Sequence, residues 1–423
     1  MKTGSKNIFA WQDLSGYALF LLVLFLGYEL FISNIAFLRV VSKIFIGGYI
    51  DKAVSLLLFL ATVLFLASHF DQIRLDHLAF LMCFAVLFAA AYGLLDSPSL
   101  RYYFSHLTAA ALMIIYYLVG YSSSWRIKTI NQAIAVFSHA VVLLYSVMIA
   151  AFWVMYYSGE ARYLGFSCQY LLLPLAYYLS RKKYALALLT GVLIMLSAKR
   201  GVYLGAGAIL FFYAVRRVKS LVTVLLILAG AGVLSVSLLI FASEFIAGLP
   251  VIGTVASKLD LLLKMDDMAQ LSIATSGRST ELLAALFLLL EDWKNLIFGM
   301  GYGWHFSWSS IYHPEYIIKS NYVHISFVNY ILQYGLIMGG MLILFIVERP
   351  LAMFKTLRQR LLPPEMWWLP LFIIGKLITA QTAYSLARDV IFWILLGVAS
   401  RLVVETKQVC RIDCSEAACA VGE

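Results

Sequence analysis

Few residues in this chain have chemistry in them, and they lie far apart. Lys199 and Arg200 stand side by side in GVLIMLSAKRGVYLGAGAILFF, two cations between apolar runs. Arg278 precedes STELLAALFLLLEDWKN, and a guanidinium beside the free N–H groups of a helix start makes an anion site. His324, with Asn321 and Asn329 nearby, opens the apolar run NYVHISFVNYILQYG. An imidazole in that position is suited to proton transfer near neutral pH. Each has a plainer structural reading. Lys199 and Arg200 can snorkel to lipid phosphates, Arg278 can be an exposed loop arginine, and a lone histidine is commonly a satisfied structural residue.

The segment GMGYGWHFSW adds alternating Gly299, Gly301 and Gly303, which let backbone N–H groups approach a ligand. It is not a P-loop, because no Lys-Ser/Thr follows. Its aromatics suit stacking on sugar rings and suit an interfacial aromatic belt equally well. Tyr302, Trp304 and Asn321 are the candidate glycan contacts. His305 and His313 lie in the same region, but no H-x-x-H or H-E-x-x-H spacing supports a metal, so none is expected. Asp266 and Asp267 are adjacent rather than spaced by one residue, which removes the usual nucleotide-sugar and metal pattern. No G-x-S-x-G elbow or kinase signature is present, and no cofactor is implied. The tail CRIDCSEAAC matches no standard zinc spacing and reads as reduced and cytoplasmic.

The elements that must position these residues are membrane helices. The 423 residues are 63% hydrophobic and 13% charged, against about 25% charged in soluble domains. Apolar runs of about 20 residues recur between short polar spacers, so the expected fold is all-α, a polytopic bundle of about 12 transmembrane helices. The spans fall near 14–33, 52–70, 78–95, 103–122, 133–157, 163–180, 184–198, 202–215, 220–243, 322–347, 365–384 and 388–404. Residues 1–243 form an N-terminal bundle, 244–321 a large outward loop with short helices, 322–404 the C-terminal helices and 405–423 a tail. No small-residue cleavage site follows the first apolar run, so it reads as a retained helix. The net charge of +10 lies mostly in loops, which favours a topological origin over nucleic-acid binding.

Dense basic clusters at 181–183, 216–219 and 349–360 fall on one side when both termini are cytoplasmic. Lys199 and Arg200 then sit at the outer turn of a hairpin whose limbs of about 15 residues reach only about 23 Å. The hydrocarbon is about 30 Å thick, so these cations are recessed, where a charge usually faces a cavity or pathway. Of the remaining intramembrane charges, Lys376 needs a partner. Arg388 and Asp389 sit together at an outer turn, where they are expected to pair locally or border a cavity.

In order and spacing, ARYLGFSCQYLLLPLAYYL, LSAKRGVYLGA, GRSTELLAAL with NLIFGMGYG, and NYVHISFVNYILQYGLIMGG resemble the motifs of bacterial O-antigen polymerases and O-antigen ligases. The likeness covers residues 160–345, and the rest matches by topology. It implies a GT-C-like glycosyltransferase of the bacterial inner membrane with its site facing the periplasm. The donor would be an undecaprenyl-diphosphate-linked oligosaccharide, and transfer would be metal-independent and inverting. Carried over by motif, Arg200 and Arg278 bind the diphosphate, with Arg162 and Lys199 as helpers. His324 orients or deprotonates the acceptor hydroxyl, and Arg278 assists catalysis. A chain-length regulator protein is the implied partner. YVHIS lacks the His-Asn pair often seen in ligases, which favours a repeat-unit polymerase. A ligase acting on lipid A core or protein is the alternative, and a flippase of lipid-linked sugars is the alternative from another class.

Overall fold

A computed structural model describes, in the main, residues 19–27, 48–95, 99–123, 125–158, 168–197, 199–216, 278–309, 317–382 and 385–420. Arg162, the expected span at 220–243 and the segment 244–277 lie outside these residues, as does the side chain of Arg200. The helices are α1 (Gly48–Ser68), α2 (His77–Leu95), α3 (Leu100–Ser122), α4 (Ile127–Tyr157), α5 (Leu172–Ser180), α6 (Tyr184–Leu196) and α7 (Arg200–Val215). From Arg278 onward come α8 (Arg278–Leu290), α9 (Trp293–Phe298), α10 (Ser326–Arg358), α11 (Trp368–Thr379) and α12 (Val390–Ala420). Between α9 and α10 lies a two-stranded antiparallel hairpin, β1 (Phe306–Ser309) and β2 (Ile317–Ser320), with Phe306 opposite Ser320. This hairpin is the one departure from an all-α fold among the described residues.

Four helices are long and apolar enough to cross a bilayer: His77–Leu95, Leu100–Ser122, Ile127–Met155 and Ser326–Arg358. Apolar side chains such as Leu87, Leu143, Leu188 and Leu344 are about 70% exposed, as lipid-facing residues are. The molecule is therefore a helical membrane protein. Its helices differ from the spans expected from hydropathy in ways the backbone explains. Among the described residues of the run expected at 163–180, Leu172–Ser180 is α-helical, following a 3-10 turn at Gln169–Leu171. The expected span at 322–347 becomes α10, which is longer and is interrupted at Gly335 (φ 75°, ψ 173°). A side chain there would run into the carbonyl of Ile297, so glycine is required both for φ and for space. α12 continues through Ala420, into the segment expected as a tail from 405.

The bundle has two ends. α2 and α3 pack antiparallel, and α3 lies along α12. Tyr302 donates its backbone N–H to Ala89 near the end of α2, and Asn321 meets Ser105 and His106 near the start of α3. These contacts mark one end. Asp76, Tyr117 and Arg349 meet at the other. The short α6 and α7, 13 and 16 residues, span only about 20–24 Å. α7 crosses α11 closely at Gly205, where a Cβ would strike Thr379 Oγ1 and the Gly375 carbonyl.

Candidate functional site

α8 carries the first component. Its apolar face is broken by Glu281, which is 2% exposed and three residues after Arg278. Ser279 or Thr280 would be the N-cap if the helix ran from there to Asn295. Instead Arg278 is already helical, and the helix stops at Leu290. Asp292 caps the next short helix by accepting from the Lys294 N–H. One turn of α8 therefore presents Arg278 and Glu281 on neighbouring positions, with Arg278 Nη1 3.7 Å from Glu281 Oε2.

His324 is the second component. Its Nδ1 lies 2.8 and 2.9 Å from the two carboxylate oxygens of Glu281. The loop that holds it is tied down on both sides. The Asn329 side chain accepts from the Val323 N–H, and the first N–H groups of α10 reach the turn after α11, Ser326 to the Ala380 carbonyl and Phe327 to Gln381 Oε1. Upstream, His106 of α3 binds both feet of the β-hairpin. Its Nδ1 accepts from the Gly303 N–H at 3.1 Å, and its Nε2 donates to the Asn321 carbonyl at 2.7 Å. This pattern needs a neutral imidazole of one tautomer.

His324, Asn321 and Asn329 line a cavity of about 390 Å³, together with Ser105, His106, Gln169, Tyr170, Gln333, Arg388 and Asp389. With Nδ1 held by Glu281, Nε2 is the ring nitrogen left for the cavity. The Glu281 proton decides what Nε2 offers. An ionised Glu281 accepts from Nδ1–H, and Nε2 keeps a lone pair. A protonated Glu281 donates to Nδ1, and Nε2 must carry the hydrogen. Burial pushes the Glu281 carboxyl up to about 7, while the Arg278 charge works the other way. Burial likewise disfavours the charged form of Arg278, and Glu281 supports it.

No protein-family model, curated protein or solved structure matches the chain. What the site can do is set by its own geometry.

That geometry rearranges the residues singled out in the sequence. His324 and Asn321 share the cavity wall, as their spacing suggests. Arg278 is three residues from Glu281 and faces it, rather than standing on the wall as an anion-binding group would. Lys199 precedes the first turn of α7 and is also off the wall. The α7 start, Arg200, is one and a half turns above Gly205, level with the turn after Thr379. That turn is bonded to Ser326 and Phe327, so the backbone of Arg200 reaches the same end of the bundle as His324. Tyr302 and Trp304 are 1% and 5% exposed and offer no face to a glycan. Gly301 and Gly303 have positive φ, which folds this loop onto α2 and α3. Tyr302 is hydrogen-bonded to Tyr334, and Trp304 packs on the His106 ring.

Arg388 and Asp389 are adjacent but do not pair. Asp389 Oδ2 lies 2.6 Å from Nζ of the fully buried Lys376, which is the partner that lysine required. Asp389 Oδ1 accepts from the Phe392 N–H and caps α12. Arg388 turns the other way and donates to Ser105 Oγ at 2.8 Å. Glu281, His106 and Ser105 were not apparent as site residues. Only Glu281 had a local signal, a lone acid in the apolar helix that follows Arg278.

Proposed function

We propose that the protein is a polymerase of O-antigen or another surface polysaccharide, transferring a glycan from undecaprenyl diphosphate to the non-reducing end of another lipid-linked repeat unit. The observation that carries this reading is the Glu281–His324 contact at the edge of a polar cavity at one end of a membrane bundle. A carboxylate on Nδ1 orients an imidazole so that Nε2 can act as a base, and stabilises the imidazolium that forms.

In this scheme the acceptor hydroxyl gives its proton to His324 Nε2 as its oxygen attacks the anomeric carbon. The bond from that carbon to the diphosphate oxygen breaks on the opposite face. A single displacement inverts the centre, and the lipid diphosphate leaves with the electron pair. Charge grows on the diphosphate as it leaves, so a nearby cation stabilises the transition state more than the ground state. Arg200 is assigned to that anion by the motif resemblance. Arg278 positions Glu281, and the transfer in this reading is metal-independent. The finer architecture belongs to the same proposal: about twelve GT-C-like spans in the inner membrane, cytoplasmic termini, a periplasmic site and a chain-length regulator as partner.

The test is deletion of the gene in its host, with surface glycan resolved on a gel. The polymerase reading expects lipid core capped by a single repeat unit. Bare core with long glycan accumulating on undecaprenyl diphosphate points to a ligase. An unchanged ladder contradicts glycan transfer altogether.

A further inference from the structure

The cavity wall carries one exposed cation, Arg388, and one carboxylate, Asp389. Asp389 is already neutralised by Lys376 at 2.6 Å. Arg388 has no carboxylate partner among the described residues. Arg278, Arg349 and Arg401, by contrast, each lie within 4 Å of one. The wall is therefore left with a net positive charge, and that charge is Arg388.

The placement of Arg388 is fixed by Ser105. Arg388 Nη2 donates to Ser105 Oγ at 2.8 Å, and Asn321 Nδ2 donates to the same oxygen at 3.3 Å. Two donors on one hydroxyl oxygen turn its hydrogen away from both. Arg388 spends one of its five N–H groups this way and keeps the rest of its planar fork. Asn321 is three residues from His324, so the guanidinium is held in the same wall as the imidazole by a two-bond relay.

From these contacts we infer that Arg388, with the Ser105 hydroxyl, is the phosphoanion subsite of this cavity. A guanidinium fork pairs with phosphate oxygens through parallel charge-assisted hydrogen bonds, and the hydroxyl adds a third donor. In the reading proposed above, on which the identity of the ligand rests, the anion is the diphosphate of a polyprenyl-linked donor. The same chemistry would accept a phospholipid headgroup. Arg388 is a binding residue missed by motif resemblance, because its partner Ser105 is 283 residues away.

The experiment uses the full-length protein in neutral-lipid nanodiscs, with undecaprenyl diphosphate, phosphatidylglycerol and inorganic pyrophosphate as probes. Binding is followed by native mass spectrometry or by the shift in unfolding temperature. Arg388→Ala should weaken undecaprenyl diphosphate binding about tenfold or more, and Arg388→Lys should recover part of it. Because Arg388 is exposed, both variants should keep the wild-type unfolding temperature without ligand. Arg388-dependent binding of phosphatidylglycerol, with no preference for the diphosphate, keeps the subsite but contradicts the polymerase donor. Equal binding of undecaprenyl diphosphate by wild type and Arg388→Ala overturns the subsite and leaves the polymerase reading standing. Wild-type protein that binds none of the three probes also overturns the subsite.

Discussion

The two ends of the bundle hold similar residues in opposite states. At one end Asp76 uses both oxygens: Oδ1 accepts from the Ala79 N–H, and Oδ2 accepts from the Tyr117 hydroxyl at 2.8 Å and from Arg349 at 3.0 Å. Acid, phenol, guanidinium and helix start satisfy one another, and three helices are fastened together. At the other end Glu281 holds only one ring nitrogen of His324, and Arg388 holds only a hydroxyl. The capacity left over there points into a cavity. Polar groups inside a bundle are costly unless paired, so the first arrangement is what stability alone selects. The second is what remains when a ligand must complete the pairing. Lys376 and Asp389 show that this end can also close its charges where no ligand is needed.

The sharpest way to break this contrast is to remove the open and the closed polar groups one at a time. His324→Ala should lower glycan transfer about 10³-fold, with a smaller stability cost of about 1–3 kcal/mol because the buried Glu281 carboxyl loses its hydrogen-bond partner. Radiolabelled or gel-resolved transfer by purified protein, normalised to folded protein, would measure it. Next is Lys376→Met, which strands Asp389 beside the cavity. It should cost about 3–5 kcal/mol in denaturant or thermal unfolding, and a second change, Asp389→Asn, should restore most of the loss.

Glu281→Gln should slow transfer by about 10² and change its pH profile. Wild-type rates should rise as pH passes about 7, where Glu281 ionises and Nε2 gains its lone pair; the variant should lose that inflection. Stability runs in the opposite sense. The folded carboxyl keeps its proton to about 7 against 4.5 for an exposed glutamate, so the folded chain binds more protons in that window. Its contribution to stability is therefore full below 4.5 and declines as pH rises towards 7, and Glu281→Gln should flatten that slope.

At the closed end, Arg349→Ala should cost about 2 kcal/mol of stability with transfer per folded molecule unchanged. The smallest effect belongs to Tyr302→Phe. It removes one buried hydrogen bond to Tyr334, about 1 kcal/mol, and leaves transfer intact. A large loss of transfer in that variant would restore Tyr302 as a glycan contact.

Which parts were readable from the sequence follows from range. Hydropathy is local, so the long apolar helices stand out from it, whereas the break at Gly335 depends on Ile297 pressing against the backbone. His324 and Asn321 share a short loop and could be grouped by spacing. Glu281 sits 43 residues from His324, and its importance appears only when α8 folds against that loop. Arg388 and Asp389 look like a local pair in sequence. A turn into a helix start sends neighbouring side chains apart, one to Lys376 and the other to Ser105. Tyr302 and Trp304 look displayed because glycines flank them, yet the same glycines let the loop bury both rings. Arg278 reads as an anion site from its place at a helix start, and the acid three residues later takes its charge.

The most direct test of the central claim compares His324→Ala with Arg349→Ala in a deletion host, each expressed to the same folded level in membranes, with surface glycan run on a gel. The account predicts core capped by a single repeat unit for His324→Ala and a wild-type ladder for Arg349→Ala. A full ladder from stably folded His324→Ala protein would contradict it.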